Sequence, residues 1–228
     1  MSPLKHPQHS PSNPVRIFPF GDTALVCESA PPATLDCQRR VWAAAQAARA
    51  WPHVLDVVPG MNNLTLVFDP LEADRDVLAE QLRVAWDAAD DVPALGREIE
   101  IPVHYGGAFG PDLDALAAHA GLPAHEVVQR HAQADYVVFF LGFQPGFAYL
   151  GGLDEALHMP RRAQPRLEVP AGSVGIGGAQ TGIYPATSPG GWQLIGRTML
   201  PLFDPAHTPP TLLQPGDRVR FTIAETPA

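Results

Sequence analysis

Beyond Leu141 the chain offers no stretch that a regular helix could use, and this constrains its fold more than any other feature. Glycine and proline recur there between short β-branched and aromatic runs, so that half must be built from many short strands joined by turns. Such a texture predicts a barrel or a sandwich. The earlier part reads differently. Residues 16–20 and 24–28 predict paired strands around Gly21-Asp22. Thr34 then suits the N-cap of a helix over residues 35–49, with Leu35, Val41, Trp42 and Ala45 on one face. A second strand pair, 54–58 and 64–68, precedes a helix bearing Val77, Leu78, Leu82, Ala85 and Trp86. This predicts a small α+β domain, a sheet with two helices, over residues 15–93. A second, mainly β domain follows over residues 97–228. It opens with a strand at 99–103, two short helices at 112–120 and 123–131, and a buried strand at 136–141. Residues 1–14, rich in proline and serine, have little to bury and predict a disordered tail.

Charge and residue choice exclude several functions. With 24 acidic against 15 basic residues, the net charge of −9 does not suit a phosphate backbone or an anionic membrane surface. Lys5 is the only lysine. A P-loop, a Schiff-base enzyme and a biotin carrier each need a lysine within the folded part, and none is available. Any ATP chemistry therefore calls for another chain. Cys27 and Cys37 read as free thiols of a reducing compartment. No eighteen-residue apolar run and no apolar leader appear, which predicts a cytoplasmic protein. The nine histidines are scattered, without metal-ligand spacing, so no metal is expected.

Three segments look chemical. Residues 142–153 hold four glycines, one proline and three aromatics, Phe143, Phe147 and Tyr149. Glycine lets a backbone approach a ligand, and the aromatics could wall a pocket; the same composition also suits a tight barrel corner. Arg161, Arg162 and Arg166 sit between Pro160 and Pro165 or just beyond, in a chain otherwise acidic. Guanidinium forks suit carboxylate or phosphate, and equally suit pairing with nearby acids. Residues 169–185 fail as a dinucleotide fingerprint, a P-loop and a nucleophile elbow. What remains is a strand or turn offering backbone N–H groups, with Gln180, Thr181 and Tyr184 as hydrogen bonders and Trp192 nearby. His131, at a helix end, reads from spacing alone as a cap or core residue.

Taken in order, these segments resemble the 5-oxoprolinase B-subunit family, also described as allophanate hydrolase subunit 1-like, which includes a bacterial histidine-kinase inhibitor. The resemblance is carried by His104-Tyr105-Gly106-Gly107, Gly110-Pro111-Asp112-Leu113, Arg130-His131 and Gly142-Phe143-Gln144-Pro145-Gly146-Phe147-Ala148-Tyr149-Leu150. It continues through Pro160-Arg161-Arg162, Pro165-Arg166, residues 169–174, 180–185 and 188–192, and Pro215-Gly216-Asp217. It implies an α+β N-terminal domain followed by a cyclophilin-like β-barrel. It also implies a role beside two partners of the same 5-oxoprolinase. One is a C-subunit, like the other half of a carboxyltransferase domain; the other is an A-subunit related to lactam-utilisation proteins. Together the three hydrolyse 5-oxoproline to glutamate with ATP cleavage, on a site that no one chain need hold. Two other functions stay open: inhibition of a sensor histidine kinase, and an allophanate or urea carboxyltransferase-type component.

On the first of these, Arg161 and Arg166 are candidates to clamp the substrate carboxylate or a phosphate. Gln180, Thr181 and Tyr184 would orient the amide, while Phe143, Pro145, Gly146 and Trp192 complete the binding set. His131 and Tyr149 are the candidates for proton handling.

Overall fold

The computed structural model describes residues 15–89 and 96–225; the predicted tail and most of the predicted boundary lie outside them. The chain divides into two compact units, Met1–Val92 and Pro93–Ala228.

In the first unit, strands β1 (Val15–Pro19), β2 (Ala24–Ser29), β3 (Val54–Pro59) and β4 (Asn63–Phe68) form an antiparallel sheet in the order β1-β2-β4-β3. Helices α1 (Leu35–Ala48) and α2 (Arg75–Asp87) pack on it. Strand alternation decides which face is covered: Leu64, Leu66 and Phe68 of β4 are buried, and the residues between them are not. Thr34 caps α1 as expected, accepting from the Cys37 N–H at 3.2 Å. Asp74 caps α2 through Asp76 and Val77. The buried stripes differ in detail from the periodicity. Trp42 is half-buried, with Cys37 and Ala48 in the core beside Val41 and Ala45, and Val77 stays 54% exposed while Leu78, Leu82 and Trp86 are buried. Both cysteines are free and buried. Burial pushes the Cys27 thiol up to about 12, away from the reactive thiolate.

The second unit answers the choice between barrel and sandwich with a closed barrel. Its strands are β5 (Glu98–Tyr105), β6 (Tyr136–Leu141), β7 (Ala148–Gly151), β9 (Ser173–Gly177), β10 (Gln180–Ile183), β12 (Gln193–Arg197) and β13 (Arg218–Ile223), in the order β10-β7-β6-β13-β5-β12-β9. Only β13 and β5 are parallel, so the last strand closes the ring against the first. The buried Asp217 fastens that closure: its carboxylate takes the Arg97 backbone N–H, the Gln214 N–H and the Arg97 guanidinium. Helices α3 (Leu113–Ala120) and α4 (Ala124–Gln133) send Leu116 and Val127 into the same core as Ile101, Val138, Leu150, Ile176 and Phe221. A separate two-stranded ribbon joins β8 (Arg166–Val169) to β11 (Ser188–Gly190). Among the described residues no helix is long and apolar enough to cross a membrane.

One polar chain runs through this apolar interior. His131 is fully buried. Its Nδ1 lies 2.8 Å from the Tyr105 hydroxyl and its Nε2 lies 3.0 Å from Thr181 Oγ1. The single Thr181 hydroxyl proton goes to the Gly175 carbonyl at 3.0 Å, so Thr181 must accept from His131. Nε2 therefore carries the hydrogen, and Nδ1 accepts from Tyr105. Every member is satisfied only while the imidazole is neutral, and burial holds its pKa down at about 3 instead of 6.5. His131 is thus a core residue, and the proton-handling role expected of it meets no access to solvent or substrate. The linkage sign follows from that lowered pKa. The unfolded chain binds the proton first, so His131 contributes stability in full above about pH 6.5 and loses it as pH falls towards 3. Urea denaturation of the barrel should show a loss on the order of 3 kcal/mol by about pH 4. Imidazole ¹⁵N spectra should show one Nε2–H tautomer across that range; an imidazolium at neutral pH would contradict the assignment.

Candidate functional site

Inward and outward residues alternate along β9 and β10. Val174, Ile176 and Ile183 point into the barrel core. The alternate positions, Gly175, Gly177 and Gly182, carry no side chain at all, and something else occupies their outer face. A Cβ on Gly177 would fall 2.6 Å from the Trp192 indole. One on Gly182 would fall 3.1 Å from that ring and 3.2 Å from Phe147. The glycines are a bare patch of sheet on which Trp192 and Phe147 lie. Their backbone groups, expected to meet a ligand, are taken up in the ladders joining β10 to β7 and β9, and β9 to β12.

On this floor stands a second, smaller core of Phe147, Val169, Tyr184, Trp192 and Leu194, with Tyr149 half-buried against it. Its rings meet edge to face: Phe147 with Trp192 at 5.4 Å and 88°, Phe147 with Tyr184 at 5.1 Å and 85°. Phe140 stacks on Tyr149 at 4.3 Å. The cluster reaches solvent through Phe143, which is 61% exposed and edge-on to both Phe147 and Tyr184. Phe143 also holds a left-handed backbone, φ 65°, which disfavours any residue with a Cβ. Pro145 is exposed two residues on. Gly146, φ 84°, is buried, and a Cβ there would press on Phe203 at 2.9 Å, so its conformation and its packing both require glycine.

Burial raises the pKa of Tyr149 and, with Arg161 opposing only in part, keeps its phenol protonated. Tyr184 is raised for the same first reason, although the Trp192 backbone N–H and the charges of Arg161 and Arg166 pull the other way. Both rings therefore present neutral hydroxyls, able to donate a hydrogen bond and unsuited to act as a base.

The three arginines do not act alike. Arg161 is exposed, its guanidinium 5.8 Å from the Trp192 ring centroid. Arg162 and Arg166 both turn to Asp112 Oδ1, at 3.0 and 2.8 Å. Asp112 is 5% exposed, and its Oδ2 accepts the Leu194 N–H at 2.7 Å. The main chain of the arginine loop is pinned as well, because Arg162 N–H donates to the Gly191 carbonyl at 2.7 Å, one residue before Trp192. This holds Arg161 over the indole.

Of the residues expected to form a site, the fold brings together Phe143, Tyr149, Arg161, Tyr184 and Trp192, with Arg166 at their edge. It separates Thr181 and His131 from these. Thr181 is fully buried and, like His131, belongs to the barrel interior, so it has no path to an amide substrate. Gln180, on the same strand, has an enclosed side-chain nitrogen with no partner. Asp112 and the outward glycines were missed; the period-two glycines of Val174-Gly175-Ile176-Gly177 were a readable signal for the latter. Among the described residues no group of three metal-binding side chains gathers.

Residues 15–213 match the carboxyltransferase domain family, subdomains C and D. The chain is 55% identical over 206 residues to the 5-oxoprolinase B-subunit of Escherichia coli O157:H7, covering 90% of this chain and 94% of that one. It is 49% identical over 209 residues to the 5-oxoprolinase B-subunit of Haemophilus influenzae, covering 92% and 98%. The crystal structure of TTHA0988 superposes on 93% of the chain with TM-score 0.75 at 39% identity, and the chain spans 41% of that longer protein. Urea carboxylase of Kluyveromyces lactis shares the fold, TM-score 0.78 over 92% of this chain and 22% of that one, at 20% identity.

Replacing Gly177 with alanine should displace the indole from its floor. Overpacking of this kind costs about 1–3 kcal/mol. Urea denaturation should register that loss together with a shift in tryptophan emission, whereas an unchanged midpoint would show that Trp192 does not rest on this face.

Proposed function

The chain belongs to the 5-oxoprolinase B-subunit family, and on that footing we propose that it serves as one component of an ATP-dependent complex that opens 5-oxo-L-proline to L-glutamate. The observation that carries this reading is Arg161, an exposed cation held over an aromatic wall. A five-membered lactam with one carboxylate is small, flat and singly charged. Its ring suits the exposed face of Phe143, and its carboxylate suits a guanidinium fork. The neutral Tyr149 hydroxyl can donate to the lactam oxygen, where charge develops as the amide is activated. These residues bind and orient; they do not amount to a complete catalyst, and the chain is inactive alone in this scheme.

ATP cleavage falls to the other components. The described residues contain no lysine to set against phosphates, since Lys5 is the only one in the chain. The A- and C-subunits of 5-oxoprolinase are the partners this requires. Two observations favour working beside other modules: the relatives carry the name of one subunit among several, and the same fold occupies only part of two longer chains. The barrel is read here as cyclophilin-like, and the compartment as the cytoplasm, where two reduced, buried thiols are at home.

The test is 5-oxoproline-dependent ATP cleavage with glutamate as product, using this chain alone and with its A- and C-type partners. Product should form only when all three are present. A complex that assembles yet leaves 5-oxoproline untouched would transfer the weight to a urea-derived substrate. A chain that joins neither partner would point to the kinase-inhibitor reading. In the active complex, Arg161→Gln should raise KM for 5-oxoproline about 10- to 100-fold with kcat little changed, the loss of one charge-assisted hydrogen bond. Unchanged kinetics would remove Arg161 from the site.

A further inference from the structure

The arginine loop presents a puzzle of charge. Three guanidiniums lie within six residues, yet two of them share a single carboxylate oxygen. Asp112 immediately precedes α3, where an aspartate ordinarily caps the helix with its side chain. It makes no such cap bond here. Its backbone is fixed instead, the N–H donating to the Leu194 carbonyl at 2.9 Å and the carbonyl accepting from Leu116 at 2.9 Å. The carboxylate is thereby aimed away from the helix, with one oxygen on the Leu194 N–H and the other on Arg162 and Arg166. A residue kept only to start a helix would not be arranged this way.

We infer that Asp112 determines which charge the site can read, withholding Arg162 and Arg166 from the ligand so that Arg161 alone engages it. This rests on the site proposed above and specifies its ligand class as a carboxylate monoanion, with phosphate dianions disfavoured. One guanidinium matches one carboxylate in a two-pronged pair, whereas phosphate sites gather several donors around one ligand. Both withheld arginines are half-buried, and each has an enclosed nitrogen with no partner, Arg162 Nε and Arg166 Nη1. Those donors are turned inward, away from an incoming anion. One carboxylate offsets only one of the two guanidinium charges, so the withholding is geometric, and removing that carboxylate would free both arginines to turn towards solvent. Asp112 is thus a specificity-determining, positioning residue that touches no substrate itself.

The experiment follows phenylglyoxal modification of each arginine by fragment-resolved mass spectrometry, on the full-length chain, with and without 5-oxoproline or inorganic phosphate. In the unmodified sequence Arg161 should react at least about tenfold faster than Arg162 and Arg166, whose forks are ion-paired. In Asp112→Asn the two should rise to within about threefold of Arg161, and phosphate should protect all three at about tenfold lower concentration than it protects Arg161 in the parent chain. Equal rates in the parent chain would overturn the inference, and this measurement stands even where Asp112→Asn does not fold. A folded Asp112→Asn with unaltered rates and unaltered phosphate protection would overturn it as well. If the rates separate as stated but 5-oxoproline protects no arginine in the assembled complex, the inference stands and the substrate reading falls.

Discussion

A strand has two faces, and a closed barrel uses only one of them for its core. In β9 and β10 the outer face has been reduced to hydrogen atoms at Gly175, Gly177 and Gly182, and the second, aromatic core exists because of it. Backbone ladders hold these strands from both sides, so the glycines weaken the wall less than they would in an open sheet. Trp192 can then lie flat where any Cβ would lift it. Through Trp192 the arrangement reaches Arg161, and through the loop anchored at Gly191 it reaches Arg162 and Arg166. The exposed aromatic and arginine surface is thus set by side chains that are absent from the strand behind it.

Much of this architecture was legible in advance. Helices α1 to α4 fell where apolar spacing placed them, α1 with the expected Thr34 cap, and the loss of helical signals after Leu141 foretold a strand-built second half. The aromatic and arginine segments were also recognisable as exceptional. Their partners were not. Asp112 precedes Arg162 by 50 residues and Arg166 by 54, and nothing local to either segment announces the pairing. A single chain reveals that arginines cluster; it does not reveal which of them is already occupied.

Two residues inside the barrel show a related limit. Thr181 and His131 look chemical because both carry groups that enzymes use. Strand parity could have warned against Thr181, since it shares the inward face with Ile183. His131 is harder, because a helix end allows either direction. Its neighbours decide: with Tyr105 donating to one nitrogen and Thr181 accepting from the other, the ring has no capacity left for a substrate.

The two units also differ in what they can report about themselves. Both cysteines of the chain lie in the first unit, buried and with thiols held protonated, and the barrel unit contains none. A thiol reagent therefore measures how often the α+β unit opens and is blind to the barrel. The His131 ring does the converse, since it lies wholly within the barrel. The molecule thus carries one native reporter in each half. Whether the halves unfold together or apart can be followed without adding a label or changing a residue.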